Sequence, residues 1–362
     1  MVSISFKHAG KSGHARKSNV RRLLTIFIGA AAPFIASAAH AQTPAEFFAD
    51  RQITLLVGGG GGGSVDIYGR MVGRYIAKKL SPTATVVPRN LPISGGVQAY
   101  MTLGSTAPRD GSTFATSARG PLSDPLLALK PATYDPRAFI WIGAINEDMS
   151  VCFTHKGSKI KSLEDARRIE ATMASTGALA ESSKFPHMVN ALAGAKLRVI
   201  TGYKGASDTR LAVERGEVDG QCTTFGSVLA TQPHVLTGSD YNLLVQIGER
   251  SHPLGKKAPL ITEFVKNADD RRLLDLIVKP LLITSSYTLP SGVPADRVAA
   301  WRKALQEVIK DPQFLDEAKK VGLEVDYRSG EEVQALVDAL YQTPPHIIAR
   351  AREVFGYKSS NR

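Results

Sequence analysis

Six consecutive glycines, Gly58 to Gly63, stand between an apolar segment, Ile53-Thr54-Leu55-Leu56-Val57, and a stretch that opens on Ser64 and turns helically periodic through Val72. Glycine reaches positive φ without steric cost and, lacking Cβ, lets a ligand approach bare backbone N–H groups. A strand, a glycine turn and a helix N-terminus together form an anion site from main-chain donors and the positive end of the helix dipole. The plainer reading is a flexible loop without chemical consequence. Two nucleotide readings fail on the residues. The run satisfies Gly-x-Gly-x-x-Gly at Gly58, Gly60 and Gly63 only as any polyglycine does. The acid a dinucleotide site places about 20 residues further on is replaced by Val86-Val87-Pro88-Arg89. A phosphate-binding P-loop needs a lysine where Ser64-Val65 stands.

Other chemistry is sparse. Ser158-Lys159-Ile160-Lys161 has the Ser-x-x-Lys spacing of some acyl-enzymes, but the motifs that accompany it are missing, and the stretch reads as a charged loop before a helix cap at Ser162. There is no Gly-x-Ser-x-Gly elbow. His187, His234, His252 and His346 each stand alone, without ligand spacing, and read as core or surface histidines. Cys152 and Cys222 lie in strand-like contexts; outside the cytoplasm they form either one disulfide or two buried thiols that fill core space. No zinc site, metal or cofactor is indicated.

The first 41 residues read as a targeting segment. Lys7, Lys11, Arg16, Lys17, Arg21 and Arg22 make a basic start without an acid, Leu23 to Ala38 is apolar and Ala-rich with Pro33 inside it, and Ala39-His40-Ala41 is a small-residue cleavage site. A membrane anchor would need about 18–20 strongly apolar residues. The expectation is export to the periplasm with cleavage after Ala41. The whole chain carries 45 Lys and Arg against 33 Asp and Glu, a net charge of +12, and with six of those bases in the leader the remainder carries +6. Without a basic patch interleaved with aromatics, nucleic acid is excluded as a partner, and mild positive charge suits a small anion.

Those candidate residues need a scaffold, and the pattern along 42–362 supplies one. Short apolar runs at 53–57, 84–88, 112–117, 141–145, 149–154, 172–176, 197–201, 218–223 and 242–247 alternate with helical periods, which predicts α/β layering. After residue 247 the chain loosens into charged, proline-bearing sequence before a strand expected at 279–285 and an amphipathic helix over 295–310, with Val298, Trp301, Leu305 and Val308 on one face. Small-residue loops follow several strands: Gly58 to Ser64, Ser94-Gly95-Gly96, Ser117 to Gly120, Ser175-Thr176-Gly177 and Tyr203 to Ser207. In open α/β sheets ligands collect beyond the carboxyl ends of strands, so five such loops over two halves predict two lobes closing on one ligand.

The order of motifs is more specific than any one of them. Val57 through Asp66, Asn90-Leu91-Pro92-Ile93-Ser94-Gly95-Gly96, Pro108-Arg109-Asp110-Gly111-Ser112-Thr113, Tyr134-Asp135-Pro136, Tyr203-Lys204-Gly205 with Gly216-Glu217-Val218-Asp219, Leu289-Pro290-Ser291-Gly292-Val293-Pro294 and Lys310-Asp311-Pro312 follow one another. In this the chain resembles the solute receptors of the tripartite tricarboxylate transporter system, the Bug family of periplasmic binding proteins, over essentially all of 42–362. The resemblance implies an α/β, two-lobed periplasmic-binding-protein fold (Venus flytrap, type II-like) with mainly parallel sheets. One lobe would comprise 42–145 and about 250–362, the other about 146–249. It implies a monomer that holds a small organic acid, partly through water, for a membrane permease or sensor, without catalysis.

Carried over by position, the first lobe would offer Gly62, Gly63, Ser64 and Asp66 with Ser117 and Arg119, and the second Ser175, Thr176, Gly177, Tyr203, Lys204 and Gly205. Backbone N–H groups and hydroxyls would donate to the carboxylate, with Arg119 or Lys204 as its charge partner. Asp66 cannot comfortably face a carboxylate; it caps the helix, pairs with a base, or accepts from a ligand hydroxyl or water. The chain departs from the family in the glycine run, which replaces Pro-Phe-x-Pro-Gly-Gly, in Leu179, Ala180, Glu181 and Lys184, and in Gln221-Cys222-Thr223-Thr224-Phe225. These departures open the site to a larger or aromatic acid. The competing function is an exported α/β hydrolase or transferase with a diverged site.

Overall fold

A computed structural model describes residues 42–357 except Gly63, Ala118, 129–132, Leu179 and 256–257, so the leader expected over 1–41 lies outside the described residues. Its strands are β1 (Gln52–Gly58), β2 (Thr85–Asn90), β3 (Thr113–Ser117), β4 (Ile140–Asn146), β5 (Ser150–His155), β6 (Ala171–Ala174), β7 (Leu197–Ile200), β8 (Gly220–Thr224), β9 (Tyr241–Ile247), β10 (Thr284–Leu289) and β11 (Arg328–Ser329). They form two sheets, ordered β11-β4-β10-β3-β1-β2 and β7-β6-β8-β5-β9. The chain passes from the first sheet to the second after β4 and returns after β9.

Each sheet is mixed, which corrects the expectation of mainly parallel sheets. Pairing is parallel at β2-β1-β3 and at β7-β6-β8, where helices make the crossovers. It turns antiparallel where β10 re-enters between β3 and β4, and where β5 pairs with β8 and β9. The two strands that enter from the other sheet, β5 and β10, are the ones that run against their neighbours.

The first sheet is covered on one face by helices Ser64–Leu80 and Ala295–Val308, around Val57, Phe114, Tyr287, Trp301 and Leu305, and on the other by helices Val97–Ser105 and Gly330–Tyr341. Trp301, Leu305 and Val308 are buried on the helix face anticipated from their spacing. The second sheet shares its core with helix Glu181–Ala193 and with two C-terminal helices, Ala268–Leu281 and Pro345–Val354. Cys152 and Cys222 sit opposite each other on β5 and β8, 4.0 Å apart at Cα, and are joined by a disulfide.

One stretch folds otherwise than its sequence suggested. Residues 268–281 are a helix, and the strand expected at 279–285 begins only at Thr284. Leu273, Leu276, Ile277 and Leu281 recur at helical spacing and are buried. The run from Ile277 to Ile283 is nonetheless almost continuously apolar, and such a run does not distinguish a buried helix from a strand.

Candidate functional site

The glycine run starts where β1 ends. Gly58 pairs with Ser117 of β3, and a Cβ on Gly58 would stand 2.2 Å from Ser117 Oγ and 3.0 Å from Gly96 Cα. A Cβ on Gly96, whose φ is 95°, would meet Gly58 O at 2.4 Å. Glycine is therefore required at 58 and 96 for packing: three chain segments cross there without room for a methyl group. Gly60, Gly61 and Gly62 face open space. Gly62, at φ 77°, donates its N–H to Asp66 Oδ2 at 2.9 Å.

Asp66 is a structural hub. It accepts from Asn90 Nδ2 at 2.9 Å and Arg70 Nε at 2.7 Å as well as from Gly62. Burial works against its charge, but those donors and Arg70 outweigh it and hold the carboxyl below its ordinary value. Of the alternatives open for Asp66, pairing with a base, Arg70, is realised, with further bonds from Gly62 of the loop and from Asn90.

Beyond this crossing lies a cleft of about 750 Å³ between the two sheets. Ser64, Val65 and Tyr68 of the first long helix, Ser117 and Arg119 after β3, residues 146–149 after β4 and Thr284 and Ser285 at the start of β10 face it from the first sheet. Thr224 to Ser227 after β8, with 250–254 after β9, face it from the second. The lining lies at the carboxyl ends of β3, β4 and β8, where α/β sheets collect ligands. Its apolar wall includes Met149, Leu229 and the stacked rings of Phe225 and His252, 4.5 Å apart. Burial lowers the His252 pKa, which favours the neutral ring. Ser285 holds a positive φ of 50°, a strain that side chains rarely adopt outside turns and functional sites.

Ser64, Ser117 and Arg119 thus line the cleft. Gly62 and Asp66 stand behind it, and Gly63 lies outside the described residues. The six candidates of the second half are not among the residues that line it. Ser175 is buried against Ser182 and Ser183, Oγ to Oγ 2.8 and 2.7 Å, and fastens the start of helix Glu181–Ala193 together with Gly177. Thr176 and Lys204 are exposed, and Tyr203 packs by Ile200 and Val213. Lys204 and Gly205 lead into helix Ala206–Glu214, with the Lys204 N–H donating to Asp208 Oδ2 at 3.1 Å. These loops end β6 and β7, which lie to one side of β8, whereas the lining from this sheet follows β8 and a strand on its other side, β9.

The guanidinium of Arg119 is already occupied. It donates from Nη2 to Glu181 Oε2 at 2.6 Å, from Nε to Glu181 Oε1 at 3.2 Å and from Nη1 to Thr284 Oγ1 at 3.1 Å, with Asp148 Oδ2 3.7 Å away. Burial alone would neutralise Glu181, but the charge and hydrogen bonds of Arg119 hold its carboxyl below the ordinary value. Burial pushes Asp148 up despite Arg119 and the N–H groups of Gly226 and Met149. No motif in the sequence pointed to Asn146, Asp148 or Arg250, and His252, expected as a core or surface histidine, lines the cleft beside Phe225. The available signal was the polar trio Asn146-Glu147-Asp148 between two apolar strands, where a chain that must change sheets places a turn.

No family model matches the chain. A UPF0065 protein of Bordetella bronchiseptica is 25% identical over 309 residues, covering 83% of this chain and 84% of that protein. The solved periplasmic binding protein BugD is 20% identical with a TM-score of 0.60, covering 85% of this chain and 97% of BugD. MatC from Rhodopseudomonas palustris, solved with bound malate, is 18% identical with a TM-score of 0.60, covering 84% and 99%. The two solved structures establish the fold as that of a periplasmic binding protein.

Proposed function

We propose that this chain, a Bug-family solute-binding protein, captures a small carboxylate-bearing molecule in the cleft between its two sheets and hands it on without chemical change. The observation that carries the reading is the cleft. Its 750 Å³ falls in the range of small-molecule sites, and it combines an apolar, partly aromatic wall with a few converging polar groups. Ser64, at the N-terminal end of a 17-residue helix, is the donor for a carboxylate. Ser117 also lines the cleft, but its hydroxyl donates to Gly96 O at 3.4 Å. BugD is a periplasmic binding protein, and MatC was solved with bound malate.

The two lobes we propose are the two sheets, with 42–145 and the returning strands β10 and β11 in one and 146–249 in the other. Helices Ala268–Leu281 and Pro345–Val354 belong with the second sheet by packing, so the division follows the strands more closely than the chain ends. Periplasmic residence, cleavage after Ala41, a monomeric state and delivery to a permease or sensor complete the proposal.

The test is thermal melting of the purified protein against di- and tricarboxylates, aromatic acids, amino acids and nucleotides. A ligand at 100 times its Kd adds about 2.7 kcal/mol, which raises Tm by roughly 4 °C for a chain of this length. The expected result is a shift with acids and no turnover. A shift confined to nucleotides or esters, with product released, would restore the hydrolase or transferase reading.

A further inference from the structure

The cleft is lined by acids in excess. Arg119 and Asp148 line it, and Glu181, which does not, reaches Arg119 as well, so two carboxyls are set against one guanidinium. At its rim Arg250 is divided between Glu147 at 2.5 Å and Asp326 at 3.1 Å, Arg328 adds a bond to Glu147 at 3.0 Å, and Glu324 faces the same space. Among the described residues that line the cleft, each arginine is matched by at least one carboxylate. A dicarboxylate entering here would meet no unclaimed cation, and would lose hydration without a charge partner to replace it.

A second observation is independent of the acids. Asn146 lines the cleft and is 8% exposed, yet its Oδ1 is buried and has no donor among the described residues. A buried acceptor left unpaired is costly, and a donor from outside the chain removes that cost. Asn146 and Asp148 both lie at the end of β4, so an acceptor and a carboxyl share one corner of the cleft. Ser64 supplies a hydroxyl donor elsewhere along the lining, and Ser117, which also faces the cleft, gives its own proton to Gly96 O at 3.4 Å.

Resting on the reading of this cleft as a carboxylate site, we infer that its ligand also carries an ammonium group: the carboxylate lies toward Ser64 and Ser117, the ammonium toward Asn146 and Asp148. Glu181 sets that selectivity. It occupies Arg119 as a tethered carboxylate, so that Arg119 is withheld from a second carboxylate of the ligand. Glu181 acts through Arg119 and is a positioning residue.

Calorimetry on matched acids tests this: 4-aminobutanoate against glutarate, and phenylalanine against 3-phenylpropanoate, each pair differing at the ammonium. At least one ammonium-bearing member is expected to bind wild type ten times more tightly than its partner or better. In Glu181→Gln, which removes the tethered negative charge from Arg119 while leaving an amide acceptor, that ratio is expected to fall tenfold, and in Glu181→Asp it is expected to be retained. Circular dichroism establishes that both variants fold; if they do not, the wild-type ratio decides alone. Glutarate and 3-phenylpropanoate binding wild type as tightly as their partners would overturn the inference and leave the carboxylate reading standing. An unchanged ratio in folded Glu181→Gln would overturn the role of Glu181. Failure of every acid to bind would overturn the carboxylate reading and this inference with it.

Discussion

Two ion pairs join the segment after β3 to the helix Glu181–Ala193, and they run in opposite senses. Arg119 meets Glu181, and Asp124 meets Lys184 at 2.8 Å. The first faces the cleft, shares its guanidinium with Asp148 and Thr284, and leaves the Glu181 side chain 32% exposed. In the second the lysine is 3% exposed and lies 5.9 Å from the ring centroid of Tyr357. Burial raises the Asp124 carboxyl, and Lys184 draws it back only in part. Burial also works against the Lys184 ammonium, yet the attraction of Asp124 and Tyr357 holds it above its ordinary value. The lysine is the better gauge of the coupling, because it is the partner wholly removed from water. The comparison sets a charge pair at the wall of the cleft against one whose cation is buried.

The largest expected effect breaks the buried pair. Lys184→Met removes the partner of a carboxylate one third exposed, and should cost about 2–4 kcal/mol, less than a fully buried pair would because solvent reaches Asp124. Urea denaturation reads it as a lower midpoint at unchanged slope. A loss below about 0.5 kcal/mol would show the pair to be as weak as a surface one.

Next is pH. The folded pKa of Lys184 lies above its ordinary 10.5, so its share of stability is complete below that value and is lost as pH rises through the folded one. Wild type should lose stability above about pH 10.5 more steeply than Lys184→Met, measured as Tm at fixed ionic strength. Parallel curves would remove Lys184 from the account.

The smallest stability change is expected at the cleft. Glu181→Gln keeps an acceptor for Arg119, which retains Asp148 and Thr284, so the loss should stay under about 1.5 kcal/mol. The Glu181 pKa is lowered, so its contribution is present above the ordinary 4.5 and disappears as pH falls through the folded value. A loss equal to that of Lys184→Met would mean that both pairs are structural, and would leave the recognition role without support.

Much of the scaffold was legible because local rules dictated it. The strand, glycine turn and helix at 52–80 and the amphipathic face of 295–308 follow from periodicity and glycine placement, which depend on near neighbours only. The site was legible in part. Ser64, Ser117 and Arg119 reach the cleft, whereas Ser175 to Gly177 and Tyr203 to Gly205 do not. Loops at strand ends look alike in sequence, and only strand order places β6 and β7 on the side of β8 away from β9.

By itself, then, the sequence determined the alternation of elements, the glycines at 58 and 96, and the presence of Arg119 at a strand end. The partners of those residues are tertiary facts. Cys152 opposite Cys222, Glu181 on Arg119, Lys184 on Asp124 and the unpaired Asn146 Oδ1 result from how the segments cross. The separations of these pairs along the chain run from 60 to 70 residues. Local propensity carries no information over that distance, whereas a charge taken from water or a buried acceptor is stabilised only by the group that packing brings against it.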